Sequence, residues 1–135
     1  MQNKHNNLKK WFPIKERKHN IIPRKIPKVS EGEVWWLAIG ENVGVEMNGK
    51  SEYFSRPVVI FRKLSHLGFM GIPLSTQNHS GAWYVNFRFQ NKEICAVLSQ
   101  AKVFSTARLY NRLGQIAEND MLKIKNGFSN LYLGK

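Results

Sequence analysis

Apolar side chains alternate strictly over residues 82–89: Trp83, Val85, Phe87 and Phe89 fall on one face, Tyr84, Asn86 and Arg88 on the other. A period of two marks a half-buried strand, because successive side chains of extended backbone point to opposite faces. Gln90-Asn91-Lys92 then reads as a hairpin turn into a strand over 94–98. Val34-Trp35-Trp36-Leu37-Ala38-Ile39, ended by Gly40, is short, aromatic and almost wholly apolar, which favours a buried strand with both tryptophans in the core. Residues 57–61, 67–74 and 101–104 also read as strands. Between the first two strands, residues 40–56 are rich in Gly, Asn, Ser and Glu and show no period. So long an aperiodic connection in a compact domain points to a working loop.

The period changes at the C-terminus. Met121, Ile124, Phe128 and Leu131 recur at helical spacing, Asn119 is placed to cap the helix, and Asp120 suits its positive end. Gly127 weakens this helix without breaking it. The expected fold is therefore mainly β (a β-rich α+β class): a small barrel of strongly bent antiparallel strands over residues 31–135, with one C-terminal helix. At 135 residues there is room for one domain, and the 42% apolar content can fill a modest core, which excludes collagenous, coiled-coil and wholly disordered chains. No stretch approaches the roughly 18 apolar residues of a membrane span. No apolar run follows the basic N-terminal residues as a secretory signal requires. The single cysteine, Cys95, can form no internal disulfide. A cytoplasmic protein with no membrane partner is expected.

Charge gives the first functional constraint. The formal net charge is +12, an excess that favours a polyanionic partner. It is unevenly spread: residues 1–30 hold nine basic side chains against Glu16 alone, and residues 31–135 hold twelve against eight acids. Residues 1–30 form a basic arm in which Trp11, Phe12, Ile14, Ile21, Ile22 and Ile26 are interleaved with the lysines. Pro13, Pro23 and Pro27 argue against one continuous helix, although Pro13 can open a short one through Lys18. The arm is expected to pack locally and to add affinity for a polyanion such as a nucleic acid. Trp11 and Phe12 either stack on bases or cover the domain's own surface.

Several chemistries lack their residues. His5, His19, His66 and His79 are scattered, with no spacing that gathers metal ligands, so no metal and no cofactor is expected. Neither a nucleophile elbow nor a glycine-rich phosphate loop is present. What remains is an ordered set of polar residues at strand ends: Gly32-Glu33-Val34-Trp35-Trp36, then Gly44-Val45-Glu46-Met47-Asn48-Gly49, then Arg56-Pro57-Val58-Val59-Ile60, then Pro73-Leu74-Ser75-Thr76, then Ser99-Gln100-Ala101-Lys102 and Arg108-Leu109. Singly, each has an ordinary reading as turn, core or surface.

Together, in this order, they resemble the PemK/MazF family of toxin endoribonucleases from type II toxin–antitoxin systems. The arm, with Lys10-Trp11 and the basic run over 15–18, looks like a PemK-like subgroup. The resemblance implies a MazF-type, SH3-like barrel and metal-independent cleavage of single-stranded RNA, with the RNA 2′-hydroxyl as the nucleophile. It implies Arg56 and Ser75 as the catalytic pair, with Glu46, Lys50, Thr76, Gln77, Gln100 and Lys102 placing the RNA. It further implies a homodimer and a cognate acidic antitoxin. Two positions depart from the family pattern: Lys102 stands at its usual arginine and loses the planar donor fork, and Ser75 stands at its usual threonine and keeps the hydroxyl. Two other readings stay open, a non-enzymatic gyrase poison of the same barrel type and a basic nucleic-acid-binding barrel without catalysis.

Overall fold

The computed structural model describes residues 4–135, so the first three residues of the arm lie outside it. In chain order the elements are α1 (Lys4–His19), β1 (Glu33–Ala38), β2 (Ser55–Lys63), β3 (Gly68–Ser75), β4 (Tyr84–Phe89), β5 (Lys92–Val97), β6 (Lys102–Ser105), β7 (Leu109–Gln115) and α2 (Glu118–Leu133), with 3-10 turns at Pro23–Lys25, Leu98–Gln100 and Thr106–Arg108. All strand pairs are antiparallel, and the sheet runs β4-β5-β3-β2-β1-β7 with β6 also on β3. The sheet bends about β3, which pairs β6 through Gly68–Gly71 and β5 through Leu74 and Ser75. A register shift between Ile60 and Arg62 of β2 adds twist. The bent antiparallel sheet with its C-terminal helix is the expected one. Its ladder does not close, since β4 and β7 end the path without pairing each other.

From Val34 onward β1 is apolar, because it separates two cores. Val34 joins Val59, Ile72, Leu74, Phe87, Ile94 and Leu98 beneath Met121 and Ile124 of α2. Trp35 and Leu37 turn the other way, onto Val58, Ile60, Phe69, Phe104 and Leu109. Phe128 and Leu131 extend the α2 stripe over the first core, as their spacing foretold. Gly127 has a packing reason: a Cβ there would lie 2.8 Å from Val85 Cγ2 and 2.9 Å from Leu98 Cδ1, so its absence lets α2 approach the sheet. The β4–β5 hairpin turns through Gln90 and Asn91, both left-handed (φ 52° and 64°).

Four expectations need correction. Asn119 does not cap α2. The cap is Ala117, without a side-chain bond, because the helix starts earlier and the amides of Asp120 and Met121 both bond to the Ala117 carbonyl. Trp83 leaves the core face of β4: it precedes the strand, is 56% exposed, and contributes its carbonyl to the Leu98 amide. Trp36 is only half-buried, unlike Trp35. The arm holds one 16-residue helix that runs straight through Pro13, with Pro23 and Pro27 beyond its end. A proline inside a helix costs roughly 3 kcal/mol, and tertiary anchors on both sides of Pro13 offset it. Trp11 packs on Ala38 and Phe54, so it covers the domain's own surface, while Phe12 is 62% exposed. Among the described residues no helix is long and apolar enough to cross a membrane.

Candidate functional site

Where the ends of β1, β2, β3 and β7 meet the β1–β2 loop, a cleft of about 500 Å³ opens. Trp36, Tyr53, Pro57, Leu74 and Tyr110 form its apolar walls, and Lys50, Ser51, Ser55, Arg56, Ser75, Thr76 and Asn111 its polar lining. The β2–β3 register pairs Val58 with Pro73. Continued by two residues, that register sets Arg56 across from Ser75, which is how residues nineteen apart in sequence come to share one cleft.

The Arg56 guanidinium is used on one side only. Its Nε donates to the Asn48 carbonyl at 2.5 Å, tying the strand to the loop. Arg56 takes part in none of the ion pairs among the described residues. Burial pulls its pKa below the ordinary arginine value, yet arginine stays protonated in proteins. A partly dehydrated cation without a carboxylate, with its terminal amino groups left over, is a receptor for an anion.

Ser75 is buried, and its Oγ accepts from the Gln77 amide at 3.1 Å. A hydroxyl that accepts at oxygen still has its proton to donate. Thr76 and Lys50 are exposed on the cleft lining, so the structure brings Arg56, Ser75, Thr76 and Lys50 together. The other expected residues lie outside the lining. The Glu46 carboxylate accepts from the Val43 amide at 3.1 Å, closing a turn within the loop. Gln100 holds that loop from the far side, accepting from the Met47 amide at 2.9 Å and donating to the Val45 carbonyl at 3.0 Å. Gln77 is exposed beyond the end of β3 and supplies its amide to Ser75. Lys102 pairs with Gly71 in register, with its ammonium 5.3 Å from the centre of the Phe104 ring. Arg108, the last motif residue, donates to the Ala38 carbonyl at 2.9 Å and lies beneath α1.

Sequence reasoning missed the aromatic walls. Tyr53 and Tyr110 meet edge-on at 6.0 Å, and the Tyr110 hydroxyl donates to the Tyr53 carbonyl at 3.0 Å. Burial, with Tyr53 adding to it and Arg17 opposing, pushes the Tyr110 phenol above its ordinary value, so it is neutral at physiological pH. Only Trp36 carried a signal, its apolar run, and that signal pointed to the core. Among the described residues no three of His, Cys, Asp and Glu gather into a group that could hold a metal ion.

This arrangement has known relatives. The model of the PemK-like, MazF-like toxins of type II toxin–antitoxin systems matches residues 30–132. Among solved structures, MazF from Deinococcus radiodurans (crystal form I) superposes with a TM-score of 0.63 at 13% identity, covering 81% of this chain and all of that one (100%). An endoribonuclease from a mycobacterial species gives 0.61 at 13% identity, over 82% of this chain and 95% of its own. An endoribonuclease in complex with its cognate antitoxin, also mycobacterial, gives 0.58 at 14%, over 79% and 96%. At such identities the likeness speaks for the fold. Among curated proteins no match is found. Matched over most of its length, the chain belongs to the family of PemK-like, MazF-like toxins of type II toxin–antitoxin systems.

Proposed function

We propose that this toxin is a sequence-specific endoribonuclease that cuts single-stranded mRNA without a metal and thereby stops translation. The observation that carries the reading is the dehydrated, carboxylate-free Arg56 sharing a cleft with the Ser75 hydroxyl. In RNA the nucleophile is internal. The 2′-oxygen attacks the adjacent phosphorus and the 5′-oxygen leaves, giving a 2′,3′-cyclic phosphate and a 5′-hydroxyl. One proton leaves the nucleophile and one reaches the leaving oxygen. The protein has to align the three reacting centres and neutralise the charge that grows on the phosphoryl oxygens. Arg56 supplies fixed planar donors to those oxygens, and Ser75 donates its remaining proton to one of them. Thr76 and Lys50 hold neighbouring phosphates, while Trp36, Tyr53 and Tyr110 offer ring faces to bases. Glu46, Gln100, Gln77 and Lys102 act on the RNA from the loop and rim.

The barrel-type domain is residues 31–135, and residues 1–30 are a basic arm. We place the protein in the cytoplasm, as a homodimer that binds RNA across its dimer face. An acidic antitoxin neutralises it by covering the cleft and the basic surface outside it, a reading supported by the mycobacterial endoribonuclease whose structure holds its cognate antitoxin. Purified protein incubated with a long RNA in EDTA should give discrete fragments ending in cyclic phosphate. RNA left intact across varied sequences overturns the reading.

A further inference from the structure

Three residues of α1 bear on the cleft although α1 lines none of it. Near its start, the Lys4 ammonium pairs with Glu41 at 2.8 Å, where the Glu41 side chain is only 7% exposed. It also donates to the Asn42 carbonyl. In its middle, Trp11 is 5% exposed and packs on Phe54 at 5.8 Å between ring centres. Gly40 makes room for that indole, since a Cβ there would stand 2.3 Å from Trp11 Cε2, and the backbone turns at φ +89°. Near its end, Lys18 donates to the Leu109 carbonyl at 3.0 Å, with its ammonium 4.0 Å from the centre of the Tyr110 ring.

These anchors fall on the two roots of the β1–β2 loop and on the aromatic wall of the cleft. Phe54 is the residue that most needs them. It sits two residues before Arg56 at φ +52°, a left-handed conformation that a bulky side chain adopts only when its surroundings hold it there. Its carbonyl accepts from the amides of both Ile39 and Gly40 at 3.0 Å, joining the loop roots at that one oxygen. The Trp11 ring covers this junction. A helix that merely added positive charge for RNA has no use for a buried tryptophan, an ion pair to a buried carboxylate and a half-buried lysine on a cleft tyrosine.

We propose that α1 is a positioning element of the RNA cleft, in which Trp11 holds the strained Phe54 junction that aims Arg56 and Lys18 fixes the Tyr110 wall. The proposal rests on the ribonuclease reading for its consequence in catalysis, and on geometry alone for its consequence in the loop. Neither residue touches substrate; both act through the residues they hold. A displacement of about 1 Å at the reacting centre can cost about 10²-fold in rate, so slackening the junction shows in the chemical step. The exposed lysines of the same helix serve a different purpose, drawing in phosphates and setting the salt dependence.

The test uses the full chain and four variants: Trp11→Ala, Lys18→Met, Lys18→Arg, and a Lys9→Ala/Lys10→Ala control that removes exposed charge. Backbone hydrogen exchange should quicken at the Ile39 and Gly40 amides by about tenfold or more in Trp11→Ala, with the β2–β3 ladder unchanged. Lys18→Met, which keeps the apolar stem and the fold, should lower the single-turnover rate by about tenfold with RNA affinity held within about twofold. Lys18→Arg should restore most of that rate. The exposed pair should instead weaken binding and flatten its salt slope, with the bound-state rate unchanged. Native exchange at Ile39 and Gly40 in a folded Trp11→Ala overturns the brace. So does a Lys18→Met that loses affinity in the manner of the control and keeps its bound-state rate. Should Trp11→Ala fail to fold, Lys18→Met decides. Should the wild-type chain cut no RNA, the ribonuclease reading falls and the exchange measurement alone decides whether α1 holds the loop.

Discussion

Replacing Arg56 by alanine separates folding from chemistry. On the folding side the loss is small. Arg56 makes one side-chain hydrogen bond, to the Asn48 carbonyl, and forms no ion pair among the described residues. A bond from a charged donor contributes about 1.5–3 kcal/mol, and removing a partly dehydrated guanidinium offsets much of it. The domain should therefore stay folded with its melting point lowered by a few degrees. On the chemical side, removing a preorganised donor to the developing phosphorane charge should cost about 10²–10³ in rate, or about 3–4 kcal/mol. Arg56→Lys should recover little. In arginine the Nε holds the loop while the terminal amino groups remain for phosphate, whereas the one lysine nitrogen cannot do both with the same geometry. The assay is single-turnover cleavage of one oligonucleotide, with circular dichroism and equilibrium binding alongside. RNA affinity should change by far less than the rate. A folded Arg56→Ala that cuts at near-wild-type speed refutes the argument and returns Arg56 to a loop tether.

Ser75→Ala should slow cleavage and leave the Gln77 amide without its acceptor, whereas Ser75→Thr should cut, because the hydroxyl is what the site uses; single-turnover rates check both. Gln100→Ala removes the two bonds that its side chain makes to residues 45 and 47, so hydrogen exchange at the Met47 amide should rise and the Michaelis constant should increase with less effect on turnover. Burial by itself would raise the Glu33 carboxyl, but bonds from the Ser30 amide, the Trp35 indole and Arg112, with the charge of Arg112, outweigh it and hold its pKa below the ordinary value. A lowered folded-state pKa gives stability that is present above the unfolded-state value and lost as pH falls through the folded one. Denaturant melts should therefore show wild type losing stability below about pH 4.5 more steeply than Glu33→Gln.

How legible the molecule is depends on the range of the interaction that decides each part. The β4–β5 hairpin is written locally, in alternation and a two-residue turn, and α2 in its stripe of Met121, Ile124, Phe128 and Leu131. The pairing of Arg56 with Ser75 is not written in any period. It was legible only because both motifs match a family pattern, and the β2–β3 register then supplies the physical reason. β7 was missed because Leu109-Tyr110-Asn111-Arg112 alternates poorly, its pairing with β1 being broken by register shifts. With β7 went Tyr110 and Asn111, the far side of the cleft. α1 was misjudged because Pro13 is a local penalty, and the anchors that outweigh it, on Glu41, Gly40, Phe54 and Tyr110, come from residues distant in sequence.

Charge and chemistry are placed apart in this fold. Of the 21 basic side chains, Lys50 and Arg56 alone among the described residues line the cleft. The rest include the exposed lysines of α1, and Lys102 on β6, at the position where the resemblance implies an arginine. Charges distributed in this way act on RNA through the phosphate backbone, additively and with strong salt dependence, and carry little information about which bond breaks. The cleft works in the opposite regime: few charges, apolar walls and one fixed guanidinium, whose effect depends on direction and on excluded water. Substitution of arginine by lysine at 102 falls in the first regime, where the sign of the charge matters more than its shape. On the proposed reading the same exchange at 56 falls in the second, since the Nε is held by the loop carbonyl and the terminal amino groups of the fork are left to meet the phosphate. On that reading a lysine at 102 should cost RNA cleavage little, whereas a lysine at 56 should cost most of it.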